Sequence, residues 1–295
     1  MSQPSPEPQS VHTVLSVMRG AEAWLQRRGV EAPQRSAELL LGKVLGLSRL
    51  QLYLAHDRPL DQQERDRMRD LTARRGDGEP VAYLIGSWSF RGLELDVGPA
   101  VLIPRPETEQ VVDAVVARAP AGASVADLGT GSGAIAVALA VERPDLRVLA
   151  TDVSKNALLV ARANVARHAV QERVELVLGS WWEAVPQDAR FHLVVSNPPY
   201  IDPKSTAGLA PDVKAYEPPL ALFTSPQDVL SCYRAIVAGL DRHLLPGGWF
   251  VAETGMGASD AGLALLSAQP FLTDVQLLQD HAGIDRVLVA KRTPE

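Results

Sequence analysis

The sequence predicts an α/β protein in which a small helical bundle precedes a mostly parallel sheet covered by helices on both faces. At 295 residues the chain is long for one domain, so two domains are expected. Apolar residues recur at helical spacing in the first 80 positions, whereas β-prone runs and helical segments alternate after Gly122. Such alternation is typical of a parallel sheet with crossover helices.

The composition is that of a soluble globular protein, with 46% hydrophobic and 22% charged residues. No run approaches the roughly 20 apolar residues needed to cross a bilayer. The single cysteine, Cys232, excludes an intramolecular disulfide and fits a reducing compartment. We therefore expect a cytoplasmic protein with no membrane association. Residues 1–9, rich in Pro, Ser and Gln, are predicted to be a disordered tail and not a signal peptide.

The net charge of −6 is unevenly distributed. The first 80 residues carry 12 basic and 11 acidic side chains, which leaves 17 basic and 24 acidic of the totals of 29 and 35 for the remainder. A duplex-DNA binder is expected to present a basic face that neutralises phosphates. The acidic second half therefore argues against a direct nucleic-acid partner, although a local patch can depart from the total.

Residues 10–79 are predicted to form a helical domain. Gly29 is placed to end the first helix, Pro33 suits the start of the second, and Asp61 with Glu64 resembles a capping box. The apolar positions at three-and-four spacing are Val11, Val14, Leu15, Met18, Ala21 and Leu25, followed by Ala37, Leu40, Leu41, Val44 and Leu45. Nothing in this segment indicates catalytic chemistry.

Residues 80–104 are predicted to form a linking β-hairpin. Its short β-prone runs, separated by Gly86 and Gly92, are Val81–Ile85, Trp88–Phe90 and Leu93–Val97. The next segment, Ile103-Pro-Arg-Pro-Glu-Thr-Glu109, leads into an apolar helix. Its charged residues, Arg105, Glu107 and Glu109, fit either a helix start or a substrate contact, and the sequence does not decide between the two.

Residues 105–295 are predicted to hold a seven-stranded Rossmann-like sheet. The strand candidates are Val125–Leu128, Val148–Thr151, Val174–Leu178, Leu193–Val195, Trp249–Ala252, Asp274–Leu278 and Arg286–Ala290, and the helices expected between them are Ala134–Val141, Ser154–His168 and Asp228–Leu244. The last two strands are joined by a segment too short for a helical crossover, so they should pair antiparallel.

A glycine-rich loop follows the first of these strands, with the sequence Gly129-Thr130-Gly131-Ser132-Gly133. Glycines let the chain turn tightly and let a ligand approach the backbone. Asp152 ends the next strand, where a carboxylate can accept both hydroxyls of a ribose. The pattern predicts a nucleoside-containing cofactor and also satisfies the dinucleotide fingerprint. Asp127, just before the loop, favours a positively charged methionine amino group because it would repel a pyrophosphate.

A second motif, Asn197-Pro198-Pro199-Tyr200, follows the strand that ends at Ser196. A planar NH2 group is a poor nucleophile, and it needs acceptors for both N–H bonds so that its lone pair points at an electrophile. The Asn197 side-chain oxygen and the Pro198 carbonyl can be those acceptors. The two prolines stiffen the loop before binding, and Tyr200 can pack against the planar group. The pattern predicts methyl transfer to a planar nitrogen, with no metal.

These residues closely resemble the HemK/PrmC family, the glutamine-N5 methyltransferases of class-one peptide chain release factors. The resemblance spans nearly the whole chain beyond the tail. Its motifs are Arg75–Leu84, Ile103–Glu109, Asp127–Gly133, Asp152, Asn197–Ile201, Glu217-Pro218 before Ala221-Leu222, and Gly283 with Arg286-Val287.

The resemblance implies a class I methyltransferase domain that uses S-adenosylmethionine and releases S-adenosylhomocysteine. It implies that Gly129–Gly133 surround the cofactor, that Asp152 binds its ribose, and that Trp181 lies beside the adenine. Ser180 stands where relatives commonly carry an acid, which weakens the assignment of Trp181. Residues 197–200 would hold the glutamine of a Gly-Gly-Gln loop, and the helical domain would contact the release factor.

Three other interpretations remain open on the sequence alone. A glutamine methyltransferase acting on a ribosomal protein would share every catalytic residue. A DNA adenine-N6 methyltransferase would use the same motif on an exocyclic amine, but it predicts a basic recognition domain. A non-catalytic or NAD-binding module would leave residues 197–200 without a role.

Overall fold

The computed structural model describes residues 12–255, 257–280 and 282–294, and the predicted tail 1–9 lies outside these ranges. The chain divides into two compact units, residues 1–86 and residues 87–295. Within the described ranges, no helix is both long and apolar enough to cross a bilayer.

The first unit is a helical bundle. Its helices are α1 (Val14–Arg27), α2 (Pro33–Leu45), α3 (Arg49–Leu54), α4 (Gln62–Gly76) and α5 (Val81–Ile85). Thr13, Ser48 and Asp61 cap α1, α3 and α4 through their side chains, and the capping box of Asp61 with Glu64 is confirmed. The predicted apolar faces of α1 and α2 form the core of the bundle, apart from Val11, which lies outside the described residues.

Residues 81–85 form a helix, so the prediction of a strand there was wrong. Pro80 precedes the helix, and Gly86 ends it in the left-handed conformation at φ 78°. Leu84 is buried in the bundle core, with Val81 and Ile85 packed against that core. Burial of these apolar side chains outweighs the β preference of the local sequence. The hairpin therefore begins later than predicted.

The hairpin consists of β1 (Ser87–Phe90) and β2 (Leu93–Asp96), paired antiparallel. Arg91 and Gly92 form its turn with φ values of 50° and 75°, as a two-residue turn of the I′ type requires. The Arg91 side chain donates to Glu142, and the Asp96 backbone N–H donates to Asn164 Oδ1 at 2.6 Å. The hairpin is thus hydrogen-bonded to the rest of the second unit, to which it belongs, and its role as a linker stays a prediction.

The second unit contains the predicted seven-stranded sheet. Its strands are β3 (Ser124–Leu128), β4 (Arg147–Asp152), β5 (Val174–Leu178), β6 (Phe191–Ser196), β7 (Leu244–Glu253), β8 (Leu272–Gln279) and β9 (Asp285–Arg292). The order is β5-β4-β3-β6-β7-β9-β8; β3 to β7 are parallel, and β9 pairs antiparallel with both β7 and β8. The prediction that the last two strands, β8 and β9, pair antiparallel is confirmed.

Helices cover both faces of this sheet. The helices on its faces are α6 (Glu109–Val116), α7 (Ala134–Glu142), α8 (Lys155–Arg167), α11 (Ser231–His243) and α12 (Ser259–Ser267). Two short helices, α9 (Pro211–Tyr216) and α10 (Pro219–Leu222), lie in the segment between β6 and α11. Strand residues of alternating direction enter two cores: Val125 and Val195 pack with α6 and α7, while Ala126 and Val194 pack with α11. The strand order reverses between β3 and β6, which is where open α/β sheets bind ligands.

Candidate active site

The glycine loop after β3 has the backbone that its composition predicts. Gly129, Gly131 and Gly133 all have positive φ, at 77°, 58° and 79°. A Cβ at Gly129 would come within 3.2 Å of the Trp181 ring. A Cβ at Gly131 would meet no heavy atom within 4 Å, so it would enter open space in the wall of the cavity that this loop lines.

That first cavity, of about 360 Å³, lies at the carboxyl ends of β3 and β4. Most of the predicted cofactor residues line it, and they are Gly129, Thr130, Gly131, Ser132, Asp152, Trp181 and Asn197. Gly133 is not among its lining residues; it adopts the turn that starts α7. Trp181 has φ of 45°, an uncommon value for a large side chain, and such strain concentrates at functional sites.

Asp152 connects the glycine loop to the end of β4. Its Oδ2 accepts the Gly131 backbone N–H at 2.9 Å, and its Oδ1 accepts that of Ser154 at 2.8 Å. Burial raises the pKa of Asp152, and these backbone donors oppose that rise. Each carboxylate oxygen has a further lone pair for a ribose hydroxyl.

Asp127 is fully buried beneath the loop. Its Oδ2 accepts the Thr130 hydroxyl at 2.6 Å, and its Oδ1 has no hydrogen bond to the described residues. Burial, the largest cause, raises the pKa of Asp127 to about 7, and the nearby Asp152 charge also raises it. A cationic ligand group would favour its charged form.

A second cavity, of about 560 Å³, adjoins the residue 197–200 loop. Pro198 and Tyr200 line this cavity, Pro199 lines the first, and Asn197 lines both. The Tyr200 ring packs against Gly255, where a Cβ would lie within 2.5 Å of it. Asn197 therefore stands between a cofactor-sized cavity and a cavity open to a substrate.

The sequence did not indicate the hydrogen bonds behind Asn197. Its Nδ2 donates to Thr108 Oγ1 at 3.2 Å, and Thr108 Oγ1 donates to Glu253 Oε2 at 2.5 Å. The Tyr200 hydroxyl donates to Glu253 Oε1 at 3.2 Å. Two signals could have drawn attention to this network: Thr108 lies in the distinctive segment 103–109, and Glu253 ends a central strand near the site.

The charged residues of segment 103–109 make contacts within the protein. Arg105 pairs with the buried Glu217, whose other oxygen accepts the Ile103 backbone N–H at 3.1 Å. Glu109 Oε1 accepts the Arg91 backbone N–H at 3.0 Å. Arg105 also lines the second cavity, and Glu107 lies 3.7 Å from Arg286, which lines it too. Segment 103–109 is thus bonded to the hairpin through Glu109, to the loop that contains Glu217 through Arg105, and to β9 through Glu107.

The residues of the first cavity fit a nucleoside-containing sulfonium cofactor. The open backbone at Gly131 admits a ligand, and Asp152 can accept ribose hydroxyls. Asp127 does not line the cavity, but its carboxylate, buried beneath the loop, suits a nearby positive charge. No group of three or more His, Cys, Asp or Glu side chains able to hold a metal occurs within residues 12–255, 257–280 and 282–294.

Two comparisons define the class of the second unit. A family model described as the methyltransferase small domain matches residues 90–211. The catalytic domain of hMettl16, solved with an RNA hairpin, superposes with a TM-score of 0.53 at 16% identity, covering 80% of this chain and 84% of that chain, and this likeness concerns the fold. The second unit is a class I methyltransferase domain, whose cofactor is S-adenosylmethionine.

Further comparisons show the family. A model described as the PrmC N-terminal domain matches residues 16–86. The release factor glutamine methyltransferase of Geobacter sulfurreducens is 41% identical over 282 residues, covering 96% of this chain and 98% of that protein. The protein of the same name from Burkholderia pseudomallei is 45% identical, covering 85% and 89%. The chain belongs to the family of release factor glutamine methyltransferases.

Proposed function

We propose that the protein transfers a methyl group from S-adenosylmethionine to the side-chain amide nitrogen, N5, of the glutamine in the Gly-Gly-Gln motif of class-one peptide chain release factors. The position of Asn197 between the two cavities supports this proposal most directly, because one residue can contact both reactants. The names of the full-length relatives specify the same substrate class.

The residues around the first cavity have distinct roles in this proposal. Gly129–Gly133 surround the cofactor, Asp152 accepts its ribose hydroxyls, and Trp181 packs beside its adenine. When bound, S-adenosylmethionine supplies an electrophilic methyl group on a positively charged sulfur. Apolar side chains, among them Val101, Ile135 and Phe223, form part of the wall around it.

The residue 197–200 loop positions the nucleophile. Asn197 Oδ1 and the Pro198 carbonyl accept the two N–H bonds of the glutamine amide, which leaves its nitrogen lone pair free to face the first cavity. Because positive charge develops on this nitrogen during transfer, both carbonyl dipoles stabilise the transition state. Tyr200 packs against the flat amide. As the amide nitrogen bonds to the methyl carbon, the carbon–sulfur bond would break with its electron pair left on sulfur, and the nitrogen would release one proton to solvent.

The second cavity suits a glycine-containing loop. Its walls combine apolar side chains with the polar groups of Arg105, Tyr200 and Arg286. Because the glycines of a Gly-Gly-Gln loop have no side chains, the backbone of such a substrate could enter this cavity closely. The acidic balance of the second half and the near-neutral first 80 residues favour a protein substrate over a nucleic acid. A substrate of the translation machinery would place the reaction in the cytoplasm.

Mass spectrometry tests the proposal. The protein and S-adenosylmethionine are incubated separately with a purified class-one release factor, ribosomal proteins and adenine-containing DNA. We expect the mass of one methyl group on the glutamine of the release-factor loop and none on a release factor with that glutamine replaced by alanine. Methylation of a ribosomal protein or of adenine, with the release factor unmodified, would contradict the proposal.

A further inference from the structure

Glu253 ends β7 directly behind the residue 197–200 loop, and it is 2% exposed. Each of its carboxylate oxygens accepts one hydroxyl: Oε2 from Thr108 at 2.5 Å and Oε1 from Tyr200 at 3.2 Å. An ionised carboxylate can only accept hydrogen bonds. The direction of both hydroxyl protons is therefore set by Glu253.

The direction of the Thr108 hydroxyl proton in turn determines the orientation of the Asn197 side-chain amide. The single proton of the Thr108 hydroxyl is donated to Glu253. The Thr108 oxygen can therefore only accept a hydrogen bond from Asn197. The Asn197 Nδ2, at 3.2 Å, must be the group that faces Thr108. A flipped amide would place two acceptor oxygens against each other. The Asn197 Oδ1 is consequently left free at the junction of the cavities, where the substrate N–H is to be received.

We propose that Thr108 and Glu253 are positioning residues that hold the Asn197 amide in the single orientation able to accept a hydrogen bond from the substrate glutamine. This inference rests on the proposed function. Thr108 also lines the first cavity, whereas Glu253 does not, and both residues act on the substrate amide through the Asn197 side chain. The other carboxylate oxygen of Glu253 accepts the Tyr200 hydroxyl, so one buried carboxylate orders both polar side chains of the residue 197–200 loop.

The orientation should depend on the charge of Glu253. Burial, the largest cause, raises the pKa of Glu253; the Thr108 and Tyr200 hydroxyls lower it, as Arg286 does, and Glu107 raises it. Tyr233 also lies close, and its hydroxyl donates to the Glu253 backbone carbonyl at 2.6 Å. Once protonated, Glu253 can donate to Thr108, which frees the Thr108 proton for Asn197 Oδ1 and removes the preference for the active orientation.

The first test compares Thr108→Val with Thr108→Ser, because valine keeps the shape of threonine without the hydroxyl and serine keeps the hydroxyl. For Thr108→Val we expect kcat on the release factor to fall by about tenfold or more, as for a misplaced catalytic group. The KM for the release factor should change little. Because Thr108 also lines the first cavity, the Kd for S-adenosylhomocysteine is measured for both variants, and it should differ little between them. Thr108→Ser should recover most of the lost kcat. An equal fall in both variants, or no fall in Thr108→Val, would overturn the proposal.

The second test is the pH profile of kcat, measured at saturating cofactor so that the profile reports the cofactor-bound protein and not the titration of Asp127 in the cofactor-free protein. Wild type and Thr108→Ser should lose turnover as the pH falls through the pKa of Glu253. Thr108→Val and Glu253→Gln should lack this acidic decline, since neither can couple a Glu253 proton to Asn197. A decline that persists in Glu253→Gln would contradict the inference, even if Thr108→Val does not fold.

A third measurement does not require turnover. In the S-adenosylhomocysteine complex, the side-chain NH2 signal of Asn197, assigned by its absence in Asn197→Asp, should be protected from hydrogen exchange in wild type and Thr108→Ser. It should lose that protection in Thr108→Val. Protection that is the same in all three would refute the positioning role. Wild type that binds cofactor with this signal protected, yet methylates no release factor, would refute only the proposed function.

Discussion

At the scale of single residues, the proposed function depends on a few carboxylates and one amide at the ends of parallel strands. Asp152 and Asn197 were predicted as site residues because each lies at the carboxyl end of a recognisable strand. Thr108 and Glu253 were not, because their contact joins positions 145 residues apart, and no local pattern encodes such a pairing. The structure also assigns Arg105, Glu107 and Glu109 to contacts that the sequence left undecided.

Asp152→Ala should weaken cofactor binding while leaving the transfer step intact. Loss of hydrogen bonds to a charged group costs about 1.5–3 kcal/mol, so the Kd for S-adenosylhomocysteine should rise by roughly ten- to a hundredfold. Isothermal titration measures this directly. Glu175→Gln, at an exposed position on the neighbouring strand β5, is the matched control and should bind as wild type does. Equal affinity in Asp152→Ala would exclude the ribose role.

At the scale of elements, hydrophobic periodicity and glycine placement predicted all seven strands of the sheet. The predicted and observed ranges agree at Val174–Leu178 and differ at the ends elsewhere, as for β7, which extends back to Leu244. The one wrong element, residues 81–85, is a short apolar run. Such a run fits a strand or a buried helix equally well, and tertiary packing decides between them.

Gly131→Ala should abolish or strongly weaken cofactor binding, because its Cβ would enter the cavity wall at a left-handed φ of 58°. Gly122→Ala is the control: its φ is 70°, a Cβ there also meets no atom within 4 Å, and it lies in the turn before β3. Both variants should lose about 1–2 kcal/mol of folding stability from the backbone conformation. Only Gly131→Ala should lose S-adenosylhomocysteine affinity; equal affinity in the two variants would contradict the loop's assignment.

At the scale of the whole molecule, the sheet topology places two motifs that are distant in the sequence, the glycine loop and residues 197–200, next to each other. The reversal of strand order between β3 and β6 places the glycine loop beside residues 197–200, and this juxtaposition was predictable from the parallel order. The two cavities, which share Leu102, Asn197 and Ala221, were not predictable, because they depend on segments 99–105 and 199–230, whose sequences show no sustained periodic pattern.

The buried Asp127 should make stability fall as the pH rises. Its pKa is raised from 3.8 to about 7, so between these values the folded state keeps a proton that the unfolded state has lost. The free energy of unfolding therefore decreases as the pH rises through this window, and the full penalty is present above pH 7.

Asp127→Asn removes this penalty and keeps an acceptor for Thr130. Without cofactor, its thermal midpoint should exceed that of wild type most clearly on the alkaline side of the window, and the difference should shrink on the acidic side. Asp145→Asn is a control of opposite sign, because Arg143 and the Gly122 N–H hold the pKa of Asp145 well below its usual range. Thermal melts across pH would contradict the account if the Asp127→Asn difference were independent of pH.

The most direct measurement is the turnover of Asn197→Ala on the release factor, taken together with its affinity for S-adenosylhomocysteine. Removing a hydrogen-bond partner of the transition state should lower kcat by roughly a hundredfold or more, while the cofactor, held by Asp152 and the glycine loop, still binds. Turnover equal to that of wild type in a variant that binds cofactor normally would show that the Asn197 oxygen does not receive the substrate amide.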